Sequence, residues 1–301
     1  IWSATWRSFF VINITMNPVS LSDTYRRDGL IRSFDVLNDD EVLSIKLRLQ
    51  TFISENQHNP NFRDWVYSKS YLALRWVADL AFHPVILDHV AALIGDDILL
   101  WDANIPAKAP QSKGYFGWHQ DMTYWSLAPA DGMVAVWLAV SDANLENGGM
   151  KAIPGSYMRG QLKHNATGDP LHMLRRGQCI NGAIDDHSAI ELSLRAGQAS
   201  MHHPLTIHGS EGNATDQWRY GIGFNYISAN TKVKEGHVES ALLVQGRPPT
   251  DGFRLETMPD DDLSHTALAE HSLATEQRGE LNKGDASVRQ QFQRPKNRHN
   301  F

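Results

Sequence analysis

The feature that most restricts the fold is a succession of short apolar or alternating runs that begins near Asp97. Each run is closed by Gly, Asn, Asp or Pro, as in "DILLWDANI", "MVAVWLAVSD", "GMKAIPGS", "AIELSL", "QASMHH" and "RYGIGFNYIS". Runs with this length and these boundaries are typical of strands, and several in succession predict an all-β arrangement. We therefore expect an antiparallel barrel or jelly roll over this part of the chain.

The first third of the chain has a different pattern, which predicts helices from Leu21 to about Gly95. In "NDDEVLSIKLRLQTFISENQ" the apolar residues recur at intervals of three and four after a capping Asn38 or Asp39. The segment "HPVILDHVAALIG" is also helical and ends on a glycine. The predicted fold class is thus mainly β with flanking helices.

The chain divides into one domain and two terminal segments. Residues 1–15 precede Met16 and lack the basic start and the cleavage site of a signal peptide, so we interpret them as a non-native or disordered leader. Residues 16–265 are expected to form the single domain, and 266–301 a C-terminal helix with a polar tail. The polar connection from Ser156 to Cys179 is longer than a hairpin requires, and such loops are often functional.

The charge balance argues against a nucleic-acid or anionic membrane partner. There are 28 Lys and Arg against 34 Asp and Glu, which gives a net charge of -6, and no long basic run occurs. No apolar stretch approaches the roughly 20 residues of a membrane helix. A single cysteine, Cys179, has no partner for an internal disulfide, which is typical of a reducing cytoplasm. We expect a soluble cytoplasmic protein that binds a small molecule.

The run "GYFGWHQDMTYW" contains two strong metal-binding side chains one residue apart. If it is a strand, His119 and Asp121 share a face while Gln120 points away. A third ligand is available in "MHHPLTIHGSEGN", which offers His202, His203 and His208. Two histidines and one carboxylate with open positions form the facial triad of non-haem Fe(II) oxygenases.

Two other readings of these residues remain open. Among 14 histidines an H-x-D pair can arise by chance, and two histidines with a carboxylate also serve hydrolytic zinc enzymes. Arg219 favours the oxygenase, because it follows His208 on the next strand pattern, from which a hairpin can turn it towards the same cavity. A fixed cationic fork beside the metal is suited to a carboxylate cosubstrate.

Taken together, "WHQD", "NGGMKAIPGSY" and "IHGSEGN" followed by "WRYGIGFNY" resemble the phytanoyl-CoA dioxygenase family of Fe(II)/2-oxoglutarate oxygenases. The resemblance extends from about Leu21 to about Phe253. It implies a double-stranded β-helix, which is a cupin-like jelly-roll barrel with N-terminal helices packed on the major sheet. It also implies Fe(II), 2-oxoglutarate and O2 as cofactor and cosubstrates, with release of succinate and CO2.

The resemblance assigns roles residue by residue. His119, Asp121 and His208 would bind iron, and Arg219 and Ser210 would hold the distal carboxylate of 2-oxoglutarate. Trp137 and Asn104 would line the cosubstrate pocket. Because Asp121 is intact, hydroxylation is expected and not the halogenation of relatives that lack this aspartate.

The substrate itself is less constrained. Gln120, Tyr124 and Trp125 lie beside the ligands and are assigned to the substrate. So are Arg175 and Arg176, in a Ser156–Cys179 loop whose local charge is +3 (four basic residues minus one acidic). They predict a small anionic or zwitterionic metabolite, such as an amino acid, a phosphonate or a natural-product intermediate. The alternatives are an acyl-CoA-type hydroxylase of the same family and a catalytically silent metabolite-binding barrel.

Overall fold

The structure, a computed structural model, describes residues 18–174, 177–182 and 184–281, without the side chains of residues 18–20, 124 and 277–281. The expected leader, 1–15, lies outside the described residues. Seven α-helices lie in the described part: α1 Pro18–Asp28, α2 Asp39–Asn56, α3 Phe62–Tyr67, α4 Ser70–Ala73, α5 Arg75–Ala81, α6 Pro84–Ile94 and α7 His265–Leu281.

The strands of the described residues begin between α1 and α2 and resume after α6. They are β1 Leu30–Asp35, β2 Ile98–Asn104, β3 Phe116–His119, β4 Leu127–Ala128, β5 Met133–Ala139, β6 Met150–Ala152, β7 His164–Ala166, β8 Gln178–Ile180, β9 Ile190–Leu192, β10 Gln198–His202, β11 His208–Ser210, β12 Gly221–Ser228, β13 Lys232–Val233, β14 Glu239–Gln245 and β15 Phe253–Leu255.

Two sheets form the body of the fold. The major sheet has the order β1-β10-β5-β12-β2-β14-β15 and the minor sheet the order β3-β11-β6-β9. Neighbouring strands are antiparallel except β14 and β15, which run parallel. Side chains of both sheets line one cavity. The predicted jelly roll with flanking helices is confirmed, although the two sheets do not join into one closed barrel.

Helix boundaries follow local sequence signals. Asn38 caps α2: its side chain accepts from Glu41 N–H at 3.0 Å, and the Glu41 carboxylate accepts from Asn38 N–H at 2.8 Å. This reciprocal pair satisfies two of the backbone donors that a helix start leaves open. Pro84 opens α6, and Gly95 ends it with a φ of 87°, a conformation that favours glycine.

The main core lies between the helices and one face of the major sheet. All seven residues of β5 are buried, because helices cover one face and the cavity with its minor sheet covers the other. Val134 and Leu138 belong to the main core, whereas Ala135 and Trp137 line the cavity. This alternation is the period of two expected of a strand, and it points Ala135 and Trp137 towards the cavity and the minor sheet.

A buried ion pair joins α4 to the far edge of the major sheet. Lys69 precedes α4, and its Nζ lies 2.7 Å from a carboxylate oxygen of Glu256, with both side chains fully buried. Lys69 Nζ also donates to Trp101 O at 2.7 Å and Ser240 O at 2.9 Å, while Tyr71 donates to Glu256 at 2.5 Å. These bonds compensate the loss of hydration that burying both charges entails.

Within the described ranges, no helix is by itself long and apolar enough to cross a membrane. The bent pair α5 and α6 meets the length and composition criteria only when the two are taken together. Both helices contribute buried side chains to the main core.

Candidate active site

The three predicted metal ligands come from two neighbouring strands of the minor sheet and the turn after one of them. His119 ends β3, and His208 opens β11 directly opposite it in the register. Asp121 follows two residues after His119. One nitrogen of each histidine and one carboxylate oxygen all lie within 4.8 Å of one another. The structure therefore brings His119, Asp121 and His208 together around one point.

The local structure at Asp121 differs from the prediction of a single strand through both ligands. β3 ends at His119, and Asp121 begins a short 3-10 helix, Asp121–Tyr124. Met122 N–H donates to Pro204 O at 3.0 Å, which fixes this turn against the segment between β10 and β11. Asp121 reaches the cluster from the turn, with Oδ1 3.5 Å from His119 Nε2 and 3.6 Å from His208 Nε2.

Backbone carbonyls determine which nitrogen of each histidine faces the cluster. His119 Nδ1 lies 2.8 Å from Gly117 O, and His208 Nδ1 lies 3.0 Å from Thr206 O. A carbonyl oxygen only accepts, so each neutral ring carries its proton on Nδ1. Nε2 of both rings then keeps a lone pair directed at the cluster, which is the state that a metal ligand requires.

Burial and proximity set the charges of the cluster. Burial, followed by the nearby His119, lowers the pKa of His208 well below its ordinary value. Burial alone would raise the pKa of Asp121, but the charge interaction with His208 and the contacts with His119 and His202 hold it well below its ordinary value. At neutral pH His208 is therefore a neutral imidazole and Asp121 an ionised carboxylate.

This donor set fits a divalent transition metal. Two imidazole nitrogens and one carboxylate oxygen are the ligands of non-haem Fe(II) oxygenases, and the same set also holds catalytic Zn²⁺. All three residues line the cavity between the sheets, and the Asp121 side chain is 21% exposed. The cluster can therefore bind a metal on one side and receive further ligands from the cavity.

The same cavity reaches a buried arginine. Arg219 is 2% exposed, its Nη1 donates to Pro106 O at 2.7 Å, and its guanidinium carbon lies 5.4 Å from the centre of the Trp137 ring. Burial lowers the pKa of Arg219 to about 10, which still leaves it charged at neutral pH. Its Nε has no hydrogen-bond partner among the described residues. A buried cation with an unused donor suits an anionic group of a ligand.

A buried lysine, Lys108, lies beside Ser210. Lys108 Nζ donates to Ser210 Oγ at 2.7 Å, to Gly148 O at 3.2 Å and to Glu211 O. Burial, and then the charge of Arg219, lower the pKa of Lys108 to about 6, so its amino group is mainly uncharged at neutral pH. Ser210 also lines the cavity, so the predicted hydroxyl partner of the cosubstrate has the amino group of Lys108 next to it.

Sequence reasoning did not identify Lys108. In "NIPAKAPQSK" it resembles an ordinary surface lysine near prolines. Its burial depends on the antiparallel bridge to Arg219, in which Lys108 N–H donates to Arg219 O at 2.9 Å. That pairing joins distant parts of the chain, and no local pattern indicates it.

Trp137 on β5 and Asn104 on β2 both line the cavity, and glycines on β12 make room for them. A Cβ at Gly221 would overlap the indole of Trp137, and a Cβ at Gly223 would lie 2.9 Å from Asn104 Oδ1. The two glycines of "YGIGFNY" thus keep this face of β12 open for side chains from the neighbouring strands.

Gln120 has a structural role, in contrast to the predicted substrate contact. It is fully buried, and its Nε2 donates to Gly160 O at 2.8 Å and to Leu205 O at 2.7 Å. Its Oε1 accepts from Leu162 N–H at 2.8 Å. With its amide engaged by backbone groups, Gln120 ties the metal-ligand turn to the loop after Ser156.

Of the two aromatic residues after the ligands, Tyr124 and Trp125, the second lies away from the cavity where a substrate contact was predicted. Trp125 packs against Trp101, with ring centroids 4.9 Å apart, in a small apolar cluster that does not line the cavity. This burial gives Trp125 a packing role in place of a substrate contact. Tyr124 ends the 3-10 helix, and its side chain lies outside the described part of the structure.

Arg175 and Arg176 lie outside the described residues. The residue before them, Leu174, lines the cavity. Gly177, just after them, donates its N–H to Leu174 O at 2.9 Å. At Leu174, the Ser156–Cys179 loop thus borders the cavity that contains the metal-ligand cluster.

The two other histidines considered as ligands have different surroundings. His202 lines the cavity, and its Nε2 lies 3.1 Å from Asp121 Oδ2. His203 lies 3.5 Å from Asp131 through its Nε2 and accepts Leu205 N–H at 3.1 Å. Neither joins the group of ligand atoms that converge within 4.8 Å. His208 is therefore the third member of the cluster.

Comparison with known proteins places these observations in a family. Residues 25–221 match the sequence model described as "Phytanoyl-CoA dioxygenase (PhyH)". The human peroxisomal phytanoyl-CoA dioxygenase is 28% identical over 151 residues, which are 49% of this chain and 44% of that protein. The chain thus matches less than half the length of this relative.

Solved structures agree over a larger share. The non-haem monooxygenase ThoJ is 30% identical with a TM-score of 0.78, over 90% of this chain and 98% of that chain, and its nickel complex is 28% identical with a TM-score of 0.75. The epimerase SnoN, solved with Fe³⁺, alpha-ketoglutarate and nogalamycin RO, shares the fold at 20% identity, with a TM-score of 0.60 over 82% of this chain and 98% of that chain. The family match covers most of the sequence that forms the two sheets and the metal-ligand cluster, so the chain belongs to the phytanoyl-CoA dioxygenase family.

Proposed function

We propose that the protein is an Fe(II)- and 2-oxoglutarate-dependent dioxygenase that hydroxylates an unactivated C–H bond of a small metabolite. One observation carries the proposal: a single cavity contains a two-histidine, one-carboxylate cluster and, elsewhere in its wall, the buried cation Arg219. A metal site with these three ligands would not by itself identify the reaction, because the same ligands serve several classes of enzyme. A metal site that shares a cavity with a buried cation suits a 2-oxo-dicarboxylic acid, which binds through both ends.

The residues of this chain have separate tasks in the proposed reaction. His119, Asp121 and His208 hold the metal, and Arg219 with Ser210 and Lys108 holds the distal carboxylate of 2-oxoglutarate. The bound iron supplies the activation of O2 that couples decarboxylation of 2-oxoglutarate, to succinate and CO2, with hydroxylation of the substrate.

The cavity wall assists by orientation and by exclusion of water. Phe116 and Trp137 line the cavity as apolar surfaces, and Asn104 provides a polar group next to the cosubstrate end. Because fixed groups of the protein would hold both ends of 2-oxoglutarate, the bound cosubstrate has little freedom to move. The apolar wall strengthens the charge interactions inside the cavity.

For the substrate we propose an anionic or zwitterionic small molecule. The support is the charge of the Ser156–Cys179 loop, whose described parts border the cavity at Leu174. Arg175 and Arg176 would then attract the substrate and pair with its acidic group. An acyl-CoA thioester is the alternative, favoured by the name of the human relative; it also carries anionic groups.

The zinc hydrolase is the competing reading of the same ligands. It accounts for His119, Asp121 and His208 but gives no role to the buried Arg219 and Lys108. Metal analysis after anaerobic and aerobic purification separates the two, because ferrous iron is labile in air and zinc is not. Activity that follows zinc and ignores 2-oxoglutarate would reject the oxygenase.

The direct test supplies the purified protein with ferrous iron, ascorbate and 2-oxoglutarate and measures succinate, with and without a library of acids, amino acids, phosphonates and acyl-CoA thioesters. We expect slow iron-dependent succinate formation alone and faster formation with the true substrate. A complete lack of succinate in all arms would favour a silent metabolite-binding barrel.

The substrate class has a test of its own. The double variant Arg175→Ala/Arg176→Ala should raise the KM for the true substrate and leave the KM for 2-oxoglutarate unchanged. The wild-type KM should also rise with salt, because screening weakens attraction between exposed charges. A neutral, apolar substrate, or an unchanged KM in the double variant, would overturn this assignment.

We further propose a reducing cytoplasm as the location of the protein, on the basis of its single cysteine.

A further inference from the structure

A fourth histidine stands next to the metal-ligand cluster. His202 ends β10 on the major sheet, opposite the minor sheet that carries His119 and His208, and it is 4% exposed. Its ring centroid lies 4.4 Å from that of His208. His202 therefore approaches the cluster from the other wall of the cavity.

The contacts of Asp121 divide its two carboxylate oxygens. Oδ1 faces the two histidine ligands, at 3.5 Å from His119 Nε2 and 3.6 Å from His208 Nε2. Oδ2 faces away from them and lies 3.1 Å from His202 Nε2. A carboxylate oxygen accepts, so His202 Nε2 carries a proton and donates it to Oδ2.

The His202 ring makes few other polar contacts among the described residues. Its Nδ1 is buried and has no hydrogen-bond partner among the described residues. A buried ring nitrogen without a hydrogen-bond partner is unfavourable, and an apolar ring at this position would avoid the cost. The contact with Asp121 is the one hydrogen bond that the His202 ring makes within the described part of the chain, so it is the interaction that a function would use.

We propose that His202 is a positioning residue, which holds Asp121 Oδ2 so that the carboxylate meets the metal through Oδ1 alone. The inference rests on the proposed function. A carboxylate that bound through both oxygens would take a further position on the metal, and the cosubstrate needs the open positions. Partners behind a metal ligand fix its orientation in this way in many metal sites.

Three variants separate positioning from packing and from direct metal binding. His202→Phe keeps a flat ring against His208 and removes the donor. His202→Gln restores an N–H donor near the position of Nε2. His203→Gln is the matched control, because His203 is also buried and is the next residue but contacts Asp131 and not Asp121.

The first measurement is the affinity for Co(II), which is monitored through the visible absorption of the bound ion under anaerobic conditions. The second is the affinity of the Co(II)-loaded protein for 2-oxoglutarate. His202→Phe should weaken Co(II) binding about 10- to 100-fold, the usual effect of losing a partner behind a metal ligand. His202→Gln should recover most of the affinity and the wild-type absorption spectrum. The control should bind Co(II) like the wild type. If His202→Phe does not fold, His202→Leu takes its place.

Each other outcome has a definite meaning. Wild-type affinity in the folded Phe and Leu variants would show that Asp121 needs no partner, and the inference would fail. Equal and complete loss of Co(II) in the Gln and Phe variants would make His202 a direct ligand, which also overturns it. Failure of the wild type to bind Co(II) or 2-oxoglutarate would instead reject the proposed function.

Discussion

Replacement of Arg219 by Leu should separate cosubstrate binding from metal binding. Arg219 contacts none of the three metal ligands, and its described hydrogen bond goes to Pro106 O. We therefore expect the variant to bind Co(II) or ferrous iron with wild-type affinity. Binding of 2-oxoglutarate should weaken because the distal carboxylate loses its charged partner in a buried site.

The size of the effect follows from the burial of Arg219. Removal of one partner of a buried, hydrogen-bonded charge pair costs roughly 2–5 kcal/mol. Each 1.4 kcal/mol is tenfold in affinity, so the lower limit corresponds to about a 30-fold rise in Kd. Lys108 remains nearby but has a pKa of about 6, so it is mainly uncharged in the free protein at neutral pH and replaces Arg219 only in part.

The assay is anaerobic calorimetric titration of 2-oxoglutarate into the metal-loaded protein. Arg195→Leu is the matched control, because the Arg195 side chain is 77% exposed and lies outside the cavity. It should leave both affinities unchanged. An Arg219→Leu variant that keeps its metal and binds 2-oxoglutarate as tightly as the wild type would refute the reasoning.

Three further predictions concern the surroundings of the site. Lys69→Met should lower the free energy of unfolding in urea by about 3–5 kcal/mol, because it leaves the Glu256 carboxylate buried without its cation; a change below 1 kcal/mol would contradict this. Gly117→Ala should weaken Co(II) binding, because its Cβ would overlap Cys179 Sγ and lie 2.9 Å from His172 Nε2, which shifts the strand that ends at His119. The double variant with Cys179→Ala loses the closer of these contacts and should recover part of the affinity; no recovery would exclude the clash with Cys179 as the cause. Binding of 2-oxoglutarate near pH 7 should take up protons, because the arriving carboxylate raises the pKa of Lys108 from about 6. The affinity for 2-oxoglutarate should therefore fall as the pH rises above 6. Calorimetry in buffers of different ionisation heat measures the proton uptake, which Lys108→Met should abolish.

Much of the architecture was accessible from the sequence because several strands carry their own signal. Short runs bounded by Gly, Asn, Asp and Pro predicted strands after Asp97, and a helical period of three and four predicted α2, capped at Asn38. The expectation of helices alone from Leu21 to about Gly95 was wrong at β1, whose partner β10 lies far along the chain. The pairing of β3 with β11, which brings His119 and His208 together, joins segments far apart in the chain. The family resemblance, and not local pattern, singled out His208 from its neighbours.

The parts that escaped prediction depend on tertiary packing. Lys108 is buried only because its backbone pairs with that of Arg219. Gln120 lies between two of the ligands, and Trp125 lies four residues after Asp121. The strand stops at His119 and the chain turns at Asp121, so Gln120 hydrogen-bonds to loop carbonyls and Trp125 packs into an apolar cluster. The strand pattern of alternating residues around His119 does not predict that the strand ends there and a turn begins at Asp121.

The central claim is that one cavity binds ferrous iron through His119, Asp121 and His208 and binds 2-oxoglutarate on that iron. The most direct measurement is the visible charge-transfer absorption that arises when a 2-oxo acid chelates ferrous iron, recorded anaerobically while 2-oxoglutarate is added to the iron-loaded protein. The account predicts a saturable band in the wild type and no band in His208→Ala. No band in an iron-loaded wild type, or an equal band in His208→Ala, would contradict it.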